Sequence, residues 1–184
     1  MHIDRAYLER TLAALVRINS INPKFSDGST NERAIAAHLA GVMRELGMEV
    51  SHHDAGPDRT SVVGRLRGSG GGRSLMLYGH IDTVGVDEMP KPFSAEIRDG
   101  RMYGRGTYEM MCGLAACLAA VKALVEARAP LAGDVLVVGA ADEEVASIGM
   151  AEVLRHVRAD AAIVTESTEL QLCLAHKGFC WMEV

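Results

Sequence analysis

The chain has 184 residues, 48% of them hydrophobic and 23% charged, which is enough for one domain with a real core. Its net charge of −5 comes without a basic stripe, so nucleic acid is an unfavoured partner. No apolar run has the length needed to span a bilayer, and Met1-His2-Ile3-Asp4-Arg5 lacks the layout of a signal peptide, so the expected location is cytoplasmic and no membrane partner is foreseen.

In chain order, residues 5–19 read as an amphipathic helix with Leu8, Leu12, Leu15 and Val16 on one stripe. Asn22-Pro23 breaks it. Residues 32–46 form a second helix, with Ile35, Leu39, Val42, Met43 and Leu46 inward, Ser29 or Thr30 as cap and Gly47 at its end. Residues 50–53 and 61–66 read as strands. The glycine run at 68–72 is a turn before a strand. It has no Gly-Lys-Ser/Thr ending, so it is not a phosphate loop, and Gly104-Arg105-Gly106 lacks the third glycine of a dinucleotide fingerprint.

Residues 96–103 predict a hairpin turning at Asp99-Gly100, and an Ala/Leu-rich helix follows over 109–127. A strand, a helix over 148–157 and another strand come next, and the tail 170–184 reads as two further strands around Lys177-Gly178. Alternating helices and strands predict a layered α/β sheet, mixed because consecutive strands occur near Val50 and in the tail. The four cysteines, Cys112, Cys117, Cys173 and Cys180, form no Cys-x-x-Cys pair and read as reduced thiols.

Three short apolar runs each end in side chains of metal-ligand type. Leu75 to Gly79 runs into His80-Ile81-Asp82, Val135 to Ala140 into Asp142-Glu143-Glu144, and Ala161 to Thr165 into Glu166. Runs of this kind read as buried strands, and α/β sheets bind ligands beyond the carboxyl ends of their strands. His80 and Asp82 fall on one side of an extended chain, so one can ligate a metal while the other orients the imidazole. A structural histidine beside a helix-capping Asp82 fits the same pattern. Asp142-Glu143-Glu144 can pair a ligand with a general base, or form an acidic helix start favoured by the dipole. Glu109 and Glu166 read alone as helix-start and loop acids. His176 and Lys177 read as loop residues, and His52-His53 as surface. Together, His80, Glu109, Glu144 and Glu166 would suit two divalent ions, which would also offset the mutual repulsion of the acids.

At these residues the chain resembles the co-catalytic zinc amidohydrolases of the acetylornithine deacetylase, succinyl-diaminopimelate desuccinylase, aminoacylase and glutamate carboxypeptidase group. The matching segments are Gly79-His80-Ile81-Asp82-Thr83-Val84, Gly104-Arg105-Gly106-Thr107 and Asp142-Glu143-Glu144, in the family's order and spacing. Ser20-Ile21-Asn22-Pro23, Pro92-Phe93, and Glu166 with Ala175-His176-Lys177-Gly178 add to the likeness. The resemblance implies a three-layer αβα fold of zinc-peptidase type, with a mixed, mostly parallel sheet. It implies that His80 ligates one metal and Asp82 orients it, that Glu109 bridges two metals, and that Glu143 is the general base and acid. It further implies that Glu144 binds the second metal and Glu166 the metal held by His80. The metals would be zinc, with cobalt or manganese as alternatives, and the substrate an N-acyl amino acid or small peptide.

Two departures qualify this. The family's bridging residue is an aspartate in a run of the type Asp-Met-Lys-Gly-Gly, where this chain has Glu109-Met110-Met111-Cys112-Gly113. Glu109 is one methylene longer than metal–oxygen bonding there accommodates without a shift, and Cys112 stands where a glycine would, close to the site. The chain also ends at Val184, in an apolar run, without the family's inserted dimerisation domain and later metal-binding histidine. The expectation is therefore the N-terminal portion of a catalytic domain, truncated. The alternative is a fragment or metal-binding pseudoenzyme whose catalysis is impaired.

Overall fold

The structure, a computed structural model, describes residues 1–175. Helix α1 (Arg5–Val16) starts where the Asp4 carboxylate accepts a hydrogen bond from Tyr7 N at 2.9 Å. Leu12, Leu15 and Val16 are buried on its inner stripe, and the helix stops three residues short of the expected end. Asn22 then caps a single 3₁₀ turn, Pro23–Phe25, by accepting from Lys24 N.

Helix α2 (Arg33–Glu45) buries Ile35, Leu39 and Met43, and Gly47 follows it at φ +78°, the left-handed geometry that closes a helix. Neither expected residue caps it. Thr30 turns back to donate to Ile21 O at 2.7 Å, and Asn31 Oδ1 accepts from Arg33 N at 3.0 Å.

Strands β1 (Glu49–Asp54), β2 (Thr60–Leu66), β3 (Leu75–His80), β6 (Val135–Ala140) and β7 (Ala161–Val164) form one sheet in the order β1-β2-β6-β3-β7. The pairs β6–β3 and β3–β7 are parallel, whereas β2 runs antiparallel to both of its neighbours. Four strands therefore share one direction and β2 opposes them, the mixed, mostly parallel sheet that was expected. A separate hairpin, β4 (Glu96–Arg98) with β5 (Arg101–Tyr103), turns at Asp99-Gly100.

Helices cover both faces. On one, α1, α2 and α3 (Met111–Glu126) enclose the larger core with Val62, Leu77, Val135 and Val137. On the other, α4 (Ile148–His156) closes a smaller core of Val63, Met76, Tyr78, Leu136, Val138 and Val153. Alternate residues of β3 and β6 go to opposite cores, which is why these strands read as unbroken apolar runs.

Two expectations fail here. Strand β7 was read as buried, but all four of its residues are exposed at the edge of the sheet. No strand occurs over residues 170–175, and the rest of the expected tail strands, with His176 and Lys177, lies outside the described residues.

Candidate metal centre

The strand register delivers the acids and the histidine to one edge. Strand β3 ends on His80, β6 on Ala140 and β7 on Val164; His80 is level with Ala140, and Tyr78 with Val164. The 142–144 loop and Glu166 follow directly. Glu109 arrives from the turn before α3, because the helix starts at Met111, two residues later than expected. Two glycines permit that approach. A Cβ on Gly79 would lie 2.8 Å from Leu114 Cδ2, and one on Gly113 would lie 2.5 Å from Thr165 Oγ1.

His80 is buried, with 1% of its side chain exposed, while Glu109, Glu143 and Glu166 are 40%, 36% and 35% exposed around it. The acids thus form an open mouth above a sunken imidazole. His80 Nε2 lies 2.6 Å from Glu109 Oε1, 3.8 Å from Glu143 Oε2 and 3.9 Å from Glu166 Oε1. One ligand atom each from His80, Glu109 and Glu166 falls within 4.8 Å of the others. Glu144 interacts with Glu109 closely enough for each to shift the other's titration. Its Oε1 is buried and has no hydrogen-bond partner among the described residues.

The electrostatics reflect crowded acids. Burial alone would lower the pKa of His80, but hydrogen bonds and charge from Asp82 and Glu109 outweigh it and raise the value to about 11. Burial and the Glu109 charge push Glu144 up to about 7. Glu109 is held below the ordinary carboxylate range, chiefly by the His80 hydrogen bond. A nitrogen–oxygen donor set, surplus acid charge and a buried oxygen without a partner are what a divalent cation requires, so these residues fit one.

His80 Nδ1 is 2.9 Å from the backbone carbonyl of Asp82 and 3.5 Å from its carboxylate. The carbonyl is the nearer partner of the ring. The Asp82 carboxylate is occupied by Glu143 N at 3.0 Å, Glu144 N at 3.2 Å and Asn22 Nδ2 at 2.8 Å. Asp82 therefore joins the strand end that carries His80 to the loop that carries Glu143 and Glu144.

Behind Asp82 lies a buried network that sequence reasoning missed. Asn22 Nδ2 also donates to Asp142 Oδ1 at 2.9 Å. Arg59 donates to Glu32 Oε1 at 2.6 Å and to Asn22 Oδ1 at 3.1 Å, and lies 3.4 Å from Asp142 Oδ1. Asn22 was read as a helix breaker and Glu32 as a helix start. Arg59 follows Gly56-Pro57-Asp58, which has the composition of a surface turn. No periodicity marks such residues as buried.

Of two other motifs, one lies far from the centre and one beside it: burial, together with the charges of Glu109 and Glu166, raises the pKa of the Cys112 thiol. His52 and His53 lie on β1 at the opposite edge of the sheet, where His53 stacks on His156 with ring centroids 5.4 Å apart. The Cys112 thiol, at the start of α3, donates to Tyr108 O at 2.8 Å.

An imidazole and carboxylates gathered beyond the strand ends of an αβα sheet make a candidate metal centre. The chain belongs to Peptidase family M20/M25/M40, whose model matches residues 76–175. It is 34% identical to the N-formyl-4-amino-5-aminomethyl-2-methylpyrimidine deformylase of Halalkalibacterium halodurans, across 93% of this chain and 41% of the relative. It is 33% identical to the acetylornithine deacetylase of Pasteurella multocida, across 91% of this chain and 44% of that one. The chain thus spans less than half the length of these relatives. Its fold matches an M20 family metallo-carboxypeptidase from Sulfolobus solfataricus with a TM-score of 0.74, at 23% identity, over 88% of this chain and 37% of the other. Among the described residues no helix is long and apolar enough to cross a membrane.

Proposed function

We propose that this chain is the N-terminal portion of a catalytic domain that hydrolyses the amide bond of N-acyl amino acids or small peptides, using two divalent ions, zinc before cobalt or manganese. The observation that carries this reading is that Glu109 reaches His80 Nε2 at 2.6 Å and also interacts with Glu144. A carboxylate so placed suits a bridge. His80 and Glu166 would hold one ion and Glu144 the other. When bound, the ions supply a nucleophile from water near neutral pH and positive charge at the substrate carbonyl.

The chain's own groups supply the proton transfers. Glu143 is partly exposed at the mouth, its carboxylate 3.8 Å from His80 Nε2, while its backbone N–H is anchored on Asp82 at 3.0 Å. A carboxylate held from behind and open in front can accept the proton of an attacking water and return it to the leaving nitrogen. Asp82 keeps that loop and the His80 ring in register through the contacts of its carboxylate and carbonyl. The names of two relatives specify removal of formyl and acetyl groups, so small N-acyl amides are the first substrates to test.

The experiment measures zinc content and hydrolysis of N-formyl and N-acetyl amides in parallel. Glu143→Gln is expected to lower turnover by about 10²- to 10⁴-fold while zinc content stays unchanged. Unaltered turnover in that variant, or a two-zinc parent protein that cleaves no amide, would refute the assignment.

A further inference from the structure

We propose that Arg59 is a positioning residue for the loop that carries Glu143 and Glu144, acting through Asn22 and Asp142. The inference rests on the function proposed above for its catalytic consequence, but on the geometry alone for its mechanical one. Arg59, Glu32 and Asp142 have side chains 16%, 0% and 4% exposed. Asp82 adds a third buried carboxylate, and one ligand atom each from Glu32, Asp82 and Asp142 falls within 4.8 Å of the others. Three acids gathered this closely need a cation among them. Arg59 supplies it, with one nitrogen on Glu32 and the other facing both Asn22 Oδ1 and Asp142 Oδ1.

The Asn22 amide then has only one workable orientation. Its oxygen accepts from the guanidinium, so its nitrogen faces Asp82 and Asp142, 2.8 and 2.9 Å away. That holds Asp82 where it accepts from the backbone N–H groups of Glu143 and Glu144. It also holds Asp142 at φ +62°, a left-handed conformation in which its carbonyl accepts from Ala146 N and Ser147 N and tightens the loop. All of these contacts converge on the segment that carries Glu143 and Glu144, the proposed base and one proposed metal ligand. A planar fork with fixed directions can serve three acceptors at once, and a lysine ammonium cannot reproduce that geometry.

The test is Arg59→Met in the purified protein, read by hydrogen exchange of individual backbone amides and by zinc affinity. Because Arg59→Met leaves Glu32 buried without its partner, the double variant Glu32→Gln/Arg59→Met is measured beside it, with Arg59→Lys as the conservative control. In the variants that fold, the Glu143 and Glu144 amides should exchange about tenfold faster or more, while the β3 amides of Leu77 and Tyr78 keep their protection. Zinc affinity should fall about 10- to 100-fold, kcat should fall with KM little changed, and Arg59→Lys should recover only part of each. Parental protection at Glu143 and Glu144 together with parental zinc affinity in a folded variant would overturn the proposal. So would a uniform loss of protection across the sheet in every variant, because the role would then be structural. If the parent protein binds no zinc, the hydrolase reading falls, and amide exchange still decides this one.

Discussion

Acids surround His80 on both of its ring nitrogens, and that arrangement sets how the centre responds to pH. Asp82 and Glu109 raise its pKa to about 11, and Glu144 is raised to about 7. At pH 7 the imidazole carries a proton that a metal must displace, and about half of the Glu144 population does too. Zinc uptake should therefore release between one and two protons below pH 7 and close to one above it. Apparent affinity should rise with pH about tenfold per unit or more, with the steeper slope on the acid side. Titration calorimetry in buffers of different ionisation enthalpy measures the proton count, and a pH-independent affinity would contradict the arrangement.

Glu109 makes a second prediction at the same scale. Its extra methylene lets it reach His80 directly at 2.6 Å, so an internal hydrogen bond must break before an ion can enter. Glu109→Asp, with or without Cys112→Gly, should raise zinc affinity by shortening that reach. Unchanged affinity in both variants would remove Glu109 as the cause of any weak loading. The candidate ligands were legible in the sequence because each follows an apolar strand or lies just before an Ala/Leu-rich helix. Asn22, Glu32 and Arg59 were not, because pattern reports the burial of apolar side chains and is silent on charges buried in pairs.

Among the elements, the approach of α3 to the strand ends depends on side chains that are absent. Gly113 packs against Thr165, immediately after β7, at a separation that leaves no room for a Cβ. Gly113→Ala should push the start of α3 away from β7, parting Glu109 from Glu166. A cost of about 1–3 kcal/mol in urea unfolding is expected for that overpacking, with weaker zinc binding. Parental stability and zinc affinity in Gly113→Ala would show that the helix start can yield without cost. The helices and strands themselves were readable from periodicity and turn residues. Strand β7 was misread because an exposed edge strand and a central one share the same apolar composition; only the strand order tells them apart. Thr30 failed as a helix cap because a tertiary partner, Ile21 O, claimed its hydroxyl.

The whole molecule divides its apolar interior unequally between the two faces of the sheet. Leu118, fully buried in the three-helix core, is a suitable probe of it. Leu118→Ala should cost about 2–5 kcal/mol, whereas Leu154→Ala on the half-exposed outer side of α4 should fall within about 0.5 kcal/mol of the parent. Chemical denaturation of the two variants measures the contrast, and equal losses would show that the three-helix core does not dominate stability.

The exposed position of β7 has a dynamic consequence. Among the described residues this strand pairs only with β3, and its four residues are exposed, so its amides should be less protected than those of β3 and β6. Glu166 follows it, whereas His80 ends β3, a strand paired on both sides. An ion held between the two would act as a clasp, fastening the exposed edge strand to its buried neighbour. Breathing of the β7 amides should slow when zinc is added and quicken again on chelation, making the edge of the sheet a built-in reporter of occupancy.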